Sequence, residues 1–204
     1  MINWLQNYRS YIEVIATILG LLYIILSIKQ NILLWPFGIV SSSLLIFVNY
    51  NAAFIANMVL QGFYVVMGLY GWIYWKMSSK KTEVSEPLQV KRMTILTIFI
   101  SCITAIILGI LIYQTMLYCI ANKIIDCQNP VWDSVTTTLG IVATWMLIQK
   151  YIENWLLWII TDIISAGLYL NSKLYPTTIL FISFTILAVV GYLKWKKDIR
   201  TVTI

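Results

Sequence analysis

The chain has 204 residues and a formal net charge of +6; 60% of its residues are apolar, 11% are charged, and its mean hydropathy is +0.84. That balance excludes an ordinary water-soluble domain, whose core could not hide so much apolar surface. The absence of histidine excludes an H-E-x-x-H zinc site and a histidine-based triad, and no G-x-x-x-x-G-K-[ST] or G-x-G-x-x-G motif marks a nucleotide phosphate site.

Crossing about 30 Å of hydrocarbon takes about 20 mainly apolar residues, and seven such stretches are predicted. The first, over 11–28, opens beside Glu13, where a carboxylate is favoured by the helix dipole, with an outer gate as the alternative role. No cleavable signal peptide is expected, because this run is long and no small-x-small site follows it. The second, 32–50, holds Trp35 a few residues inside. The third, 53–75, aligns Asn57, Gln61, Tyr64, Gly68, Gly71 and Trp75 on one face at gaps of 4, 3, 4, 3 and 4. Gln61 suits a hydrogen bond to an amide or a ribose hydroxyl, or equally to a neighbouring helix, while the glycines read as points of close helix approach.

Residues 1–76 therefore form a first three-helix repeat, and 77–92, with its Ser, Lys, Glu and Pro, reads as a flexible cytoplasmic linker. A connecting fourth helix follows over 93–118, with Cys102 inside it as inert packing. An external loop over 119–131 carries Cys119 and Cys127, where a disulfide is chemically permitted. The fifth span, 132–149, opens at Asp133 between Trp132 and Ser134, again a capping carboxylate or a gate. The sixth and seventh, 154–171 and 174–195, complete a second three-helix repeat and tail over 132–204.

Asp162 stands eight residues into the sixth span, near the bilayer midplane. A charge there costs about 2.5 to 3.5 kcal/mol, so it must face the bundle interior or a wet cavity. Trp158, Asp162, Ser165 and Tyr169 share its face at helical spacing. An aromatic ring one turn from a carboxylate suits a flat organic cation, through stacking and charge pairing. The competing reading is a structural Asp bonded to a neighbouring helix.

Glu13, Thr17, Gly20, Asn31, Trp35, Gly71 and Trp75 recur as Asp133, Thr137, Gly140, Asn154, Trp158, Gly191 and Trp195. The spacing is 120 at both ends and 123 in the middle, which predicts three extra residues early in the second copy, lost again later. This pairing makes Trp35 and Trp158 equivalent, either as opposed stacking walls or as belt anchors, and puts Trp75 and Trp195 in an interfacial aromatic belt. The odd helix between the copies keeps them parallel, and paired repeats around a shared midplane site are a transporter architecture.

Lys29, Lys76, Lys80, Lys81, Lys91, Arg92, Lys150, Lys194, Lys196, Lys197 and Arg200 lie on one side of the spans, against Arg9, Lys123 and Lys173 on the other. This bias predicts the N-terminus outside and the C-terminus in the cytoplasm of a multi-pass protein of the cell (inner) membrane. The basic clusters abut the spans, so the partner they imply is the lipid bilayer and not nucleic acid. No metal ligand cluster and no cofactor motif is evident.

The runs Tyr11-Ile12-Glu13 with Gly20, Trp35-Pro36-Phe37-Gly38, Leu60-Gln61, Tyr70-Gly71-Trp72 with Trp75, Trp132-Asp133-Ser134 and Glu153-Asn154-Trp155-Leu156-Leu157-Trp158 resemble those of the PnuC vitamin transporters, over nearly the whole chain. The resemblance implies an all-α, seven-helix membrane protein with SWEET-like 3+1+3 architecture, assembled as a homotrimer and not an enzyme. It implies a facilitator that moves nicotinamide riboside, or in sister groups thiamine or riboflavin, by alternating access as the bundles rock. The gradient would be held by a functionally coupled cytoplasmic kinase. Gln61 and Trp158 match positions of the family's motifs as ligand contacts. Nicotinamide riboside carriers commonly have Asn where this chain has Asp162; a carboxylate suits the pyridinium of nicotinamide riboside and equally the thiazolium of thiamine. A seven-helix receptor or membrane scaffold is the alternative of another class, and neither requires a duplicated unit with a midplane carboxylate.

Overall fold

The computed structural model describes residues 2–51, 55–80, 88–127 and 129–202. Seven helices follow in order: α1 Ile2–Ile28, α2 Leu34–Asn51, α3 Ile55–Lys80, α4 Ile95–Ala121, α5 Pro130–Ile148, α6 Asn154–Asn171 and α7 Tyr175–Val202. Among the described residues there is no strand, only one isolated parallel bridge between Lys91 and Tyr151. α6 has the predicted limits, while α1 starts at Ile2, which puts Glu13 well inside the helix and not in its first turn. α3 continues to Lys80, so the expected linker at 77–92 begins later; its residues 81–87, Lys81 among them, lie outside the described residues.

Four helices contain windows long and apolar enough to cross a membrane, at Tyr11–Ile28, Ile95–Ala121, Pro130–Ile148 and Tyr175–Ile199, and α2 has a shorter apolar stretch at Leu34–Tyr50. α3 and α6 are the helices that carry the polar stripes. Many hydroxyls in the helices bond a carbonyl one turn back, as Thr138 does to Ser134, Thr144 to Gly140, Thr161 to Leu157 and Thr185 to Phe181. Such a hydroxyl is satisfied without leaving its own helix, which lets it sit among apolar neighbours.

The chain divides into two compact units, Met1–Leu88 and Gln89–Ile204. In the first, α2 packs against both α1 and α3. The Ser41 hydroxyl donates to the Ala16 carbonyl at 2.8 Å, tying α2 to α1. A Cβ at Gly68 would lie 2.8 Å from the Ile39 side chain, and one at Gly71 would strike the Trp35 ring, so both glycines let α3 close on α2 as expected. In the second unit α4 packs on α5, α5 on α6 and α6 on α7. The connecting helix is thus a fourth member of the second unit.

The two units share a register of 120 residues throughout, with no three-residue drift. Gln30 and Lys150 both take left-handed backbone, with φ 54 and 55. The following residues repeat the same bonds: Asn31 N–H to Leu26 at 2.9 Å matches Tyr151 N–H to Met146 at 2.9 Å, and Trp35 N–H to Ile32 at 3.2 Å matches Trp155 N–H to Ile152 at 3.2 Å. Trp35 is therefore the counterpart of Trp155, and Asn31 that of Tyr151. The similar Asn-x-Leu-Leu-Trp strings at 31–35 and 154–158 are offset by three residues from this register, which is why their matching tryptophans are not structural counterparts.

Packing confirms the correction. Trp35 and Trp75 meet edge to face at 5.4 Å, and Trp155 and Trp195 do so at 5.5 Å, with Gly71 and Gly191 beneath the respective rings. Trp75 and Trp195 are 5% and 0% exposed, so they are buried packing and not an interfacial belt. A glycine opposite each indole leaves a slot for the ring between helices.

Residues at the end of the expected linker are fastened to the α5–α6 loop. Lys91 N–H donates to the Lys150 carbonyl at 3.1 Å, Ile152 N–H to the Lys91 carbonyl at 3.0 Å, and Met93 N–H to both Glu153 oxygens at 3.2 Å. The Lys91 ammonium lies 4.8 Å from the centre of the Tyr151 ring, and Met93 packs with Val142 and Met146. Thr94 then caps α4, its hydroxyl accepting from Thr97 N–H at 3.2 Å.

Candidate functional site

On α6 the burial pattern follows the predicted face. Asp162 and Ser165 are buried and Trp158 and Tyr169 are half-buried, whereas Leu156, Ile160, Ile163 and Leu170 are exposed. Asp162 is 6% exposed, yet among the described residues its carboxylate has no hydrogen bond and no ion pair. The expected alternative, a structural Asp bonded to another helix, has no such bond to support it. A buried carboxylate without a partner is costly, and a flat cation against it would offset that cost.

Tyr169 stacks on Phe181 at 5.2 Å and 14°, which holds its ring against α7. In the first unit, Gln61 and Tyr64 are half-buried on α3, and Asn57 is exposed. Counted at 120, Gln61 and Tyr64 correspond to Phe181 and Phe184. The polar stripe of α3 is thus replaced by aromatic packing on α7, while the carboxylate occurs only on α6. Trp35, 1% exposed beneath Trp75, is packing of the α2–α3 junction and presents no stacking wall.

Two cavities are present, one of them lined by the candidate gate Glu13. One of ≈ 570 Å³ is lined by Asn129, Leu168, Asn171, Ser172 and Leu174, and one of ≈ 310 Å³ by Glu13, Val14, Thr17 and Ile18. Neither is lined by Asp162. Asp133, in the first turn of α5, accepts a hydrogen bond from the Cys127 thiol at 2.9 Å. Burial and this acidic neighbour push the thiol up to about 11. All three cysteines are free and Cys102 is exposed, so neither the permitted disulfide nor buried packing for Cys102 is found. At the opposite ends of these helices, burial pushes the Lys150 ammonium down to about 8. Among the described residues no group of three or more His, Cys, Asp or Glu is placed to hold a metal.

A family model described as the nicotinamide mononucleotide transporter matches residues 10–197. The chain is 27% identical to the nicotinamide riboside transporter PnuC of Escherichia coli, an alignment that covers 94% of this chain and 87% of that one. It is 25% identical to the nicotinamide riboside transporter PnuC of Neisseria mucosa, covering 95% and 75%. A solved structure described as the vitamin B3 transporter PnuC superposes with a TM-score of 0.73 at 22% identity, covering 98% of this chain and 86% of that one.

Proposed function

The chain belongs to the nicotinamide mononucleotide transporter family, a multi-pass membrane protein that transports and is not an enzyme, and from that premise we propose that it imports nicotinamide riboside as a facilitator, by alternating access. The observation that carries this is the buried Asp162 carboxylate, unpaired among the described residues, one helical turn from Trp158. The pyridinium of nicotinamide riboside supplies both the positive charge and the flat face this pair favours. Ser165 on the same face of α6 is a further proposed contact, and Gln61, Tyr64 and Asn57 are proposed contacts of the α3 stripe, suited to an amide or a ribose hydroxyl. A mononucleotide adds a phosphate whose negative charge Asp162 opposes, so the riboside is the better ligand.

Thiamine is the second reading, favoured by the same residue. Its thiazolium matches a carboxylate as well as pyridinium does, and its aminopyrimidine can donate to one. Lys and Arg placement supports an outside N-terminus and a cytoplasmic C-terminus. The resemblance to the PnuC transporters supports a homotrimer and a cytoplasmic kinase as the sink that draws substrate inward.

Binding of nicotinamide riboside, its mononucleotide, thiamine and riboflavin to the purified protein, followed by tryptophan fluorescence quenching, tests the assignment. Nicotinamide riboside is expected to bind tightest and Asp162→Asn to weaken it about tenfold, the scale of one charge-assisted contact. Tight binding of thiamine alone would sink the first reading in favour of the second.

A further inference from the structure

The ≈ 570 Å³ cavity lies wholly within the second unit, where the end of α6 and the turn into α7 meet the residue that precedes α5. In the proposed orientation this is the outer end. Counted along α6, its lining begins six residues beyond Asp162 at Leu168 and reaches nine beyond at Asn171, about 9 to 14 Å of helical rise. The cavity is therefore a separate stop on the same helix and not an edge of the Asp162 site.

Its rim is held by backbone bonds. Ser172 N–H donates to the Leu168 carbonyl at 3.1 Å and Leu174 N–H to the Tyr169 carbonyl at 2.9 Å, with Lys173 between them in left-handed backbone at φ 58. On the opposite wall Asp133 N–H donates to the Asn129 carbonyl at 3.0 Å. A concavity of this size, fixed before a ligand arrives, can take a small molecule at little cost in ordering.

The lining selects the class of ligand. It offers two carboxamides and one hydroxyl, with Leu168 and Leu174 as the apolar remainder, and no charged side chain. The Asn129 and Asn171 side chains have no hydrogen-bond partner among the described residues. The Ser172 hydroxyl donates to the Leu168 carbonyl at 3.0 Å, which leaves its lone pairs to accept. Carboxamides both donate and accept, as the hydroxyls of a sugar do. A phosphate would find no cation, because Lys173, although between two lining residues in sequence, does not line the cavity. Asp133, tied to Asn129, has no ion pair among the described residues and lies within electrostatic reach of Tyr169, the neighbour of Leu168. The surroundings favour a cation and oppose a phosphate.

We propose that this cavity is an outer docking site for the sugar hydroxyls of a cationic nucleoside, occupied before the ligand reaches Asp162. It rests on the proposed import of nicotinamide riboside. The choice of riboside over mononucleotide is then made at the entrance as well as at the buried carboxylate.

Stopped-flow quenching of tryptophan fluorescence by nicotinamide riboside in the full-length protein tests this, with equilibrium Kd and melting temperature recorded for each variant. A docking step makes the observed rate level off as riboside concentration rises, and the half-saturation concentration measures the outer site. Asn129→Ala/Asn171→Ala is expected to raise that concentration about three- to tenfold at unchanged Kd and melting temperature, while Asn171→Gln, which keeps a carboxamide, stays near wild type. A rate that rises linearly without levelling in the wild type overturns the inference and leaves the transport reading intact. So does an unshifted half-saturation in the double variant. Failure of the wild type to bind nicotinamide riboside overturns that reading and this inference with it. Both asparagines are exposed; should the double variant not fold, Asn171→Leu decides by the same shift or its absence.

Discussion

Adjacent positions on α6 hold two kinds of polar residue in this protein. Thr161 bonds the carbonyl of Leu157 at 2.8 Å and is satisfied in place; its neighbour Asp162 is as deeply buried and unpaired among the described residues. Asp162 and its face were legible in the sequence because a helix repeats every 3.6 residues and a midplane charge has few places to go. The packing of Tyr23 was not, because it depends on the bareness of Gly38, a residue 15 positions away on another helix. Cys127 shows the same dependence on a neighbour. Its thiol, raised to about 11 by burial and Asp133, should alkylate at pH 8 about a hundredfold more slowly than a thiol near its ordinary value of 9.0. Iodoacetamide kinetics in a Cys102→Ser/Cys119→Ser background measure this, and Asp133→Asn is expected to speed the reaction. The raised value also means that the thiol's contribution to stability is present below about pH 9 and lost as pH rises through about 11.

At the level of the elements, the seven helices follow from apolar run length, since backbone groups inside a bilayer can be satisfied within a helix, but α1, α3 and α7 run beyond their apolar stretches, starting at Ile2 and ending at Lys80 and Val202. The pairing of the repeats did not follow, because two similar Asn-x-Leu-Leu-Trp strings compete with a register set by helix stops. Only the left-handed residues Gln30 and Lys150, with the bonds that follow them, settle which tryptophans correspond. That register predicts where the helices tolerate bulk. Gly71→Ala and Gly191→Ala each drive a methyl into a buried indole and are expected to cost about 1–3 kcal/mol, read as a lower melting temperature. Gly62→Ala, with no atom within 4 Å of the added methyl, is expected to be neutral or slightly stabilising through helix propensity.

For the molecule as a whole, the charge bias makes the most direct prediction. In a cysteine-free background, a Lys196→Cys variant should be labelled by an impermeant maleimide only after the membrane is opened, and a Lys123→Cys variant in intact cells. The reverse pattern would refute the proposed orientation. The fastening of Lys91 and Met93 to the α5–α6 loop has a practical consequence of its own. Lys91 N–H, Ile152 N–H and Met93 N–H all enter this junction, so a reporter domain spliced between residues 91 and 93 would break it. A fluorescent tag therefore belongs elsewhere than at the head of α4, whose hold on the α5–α6 loop it would cut.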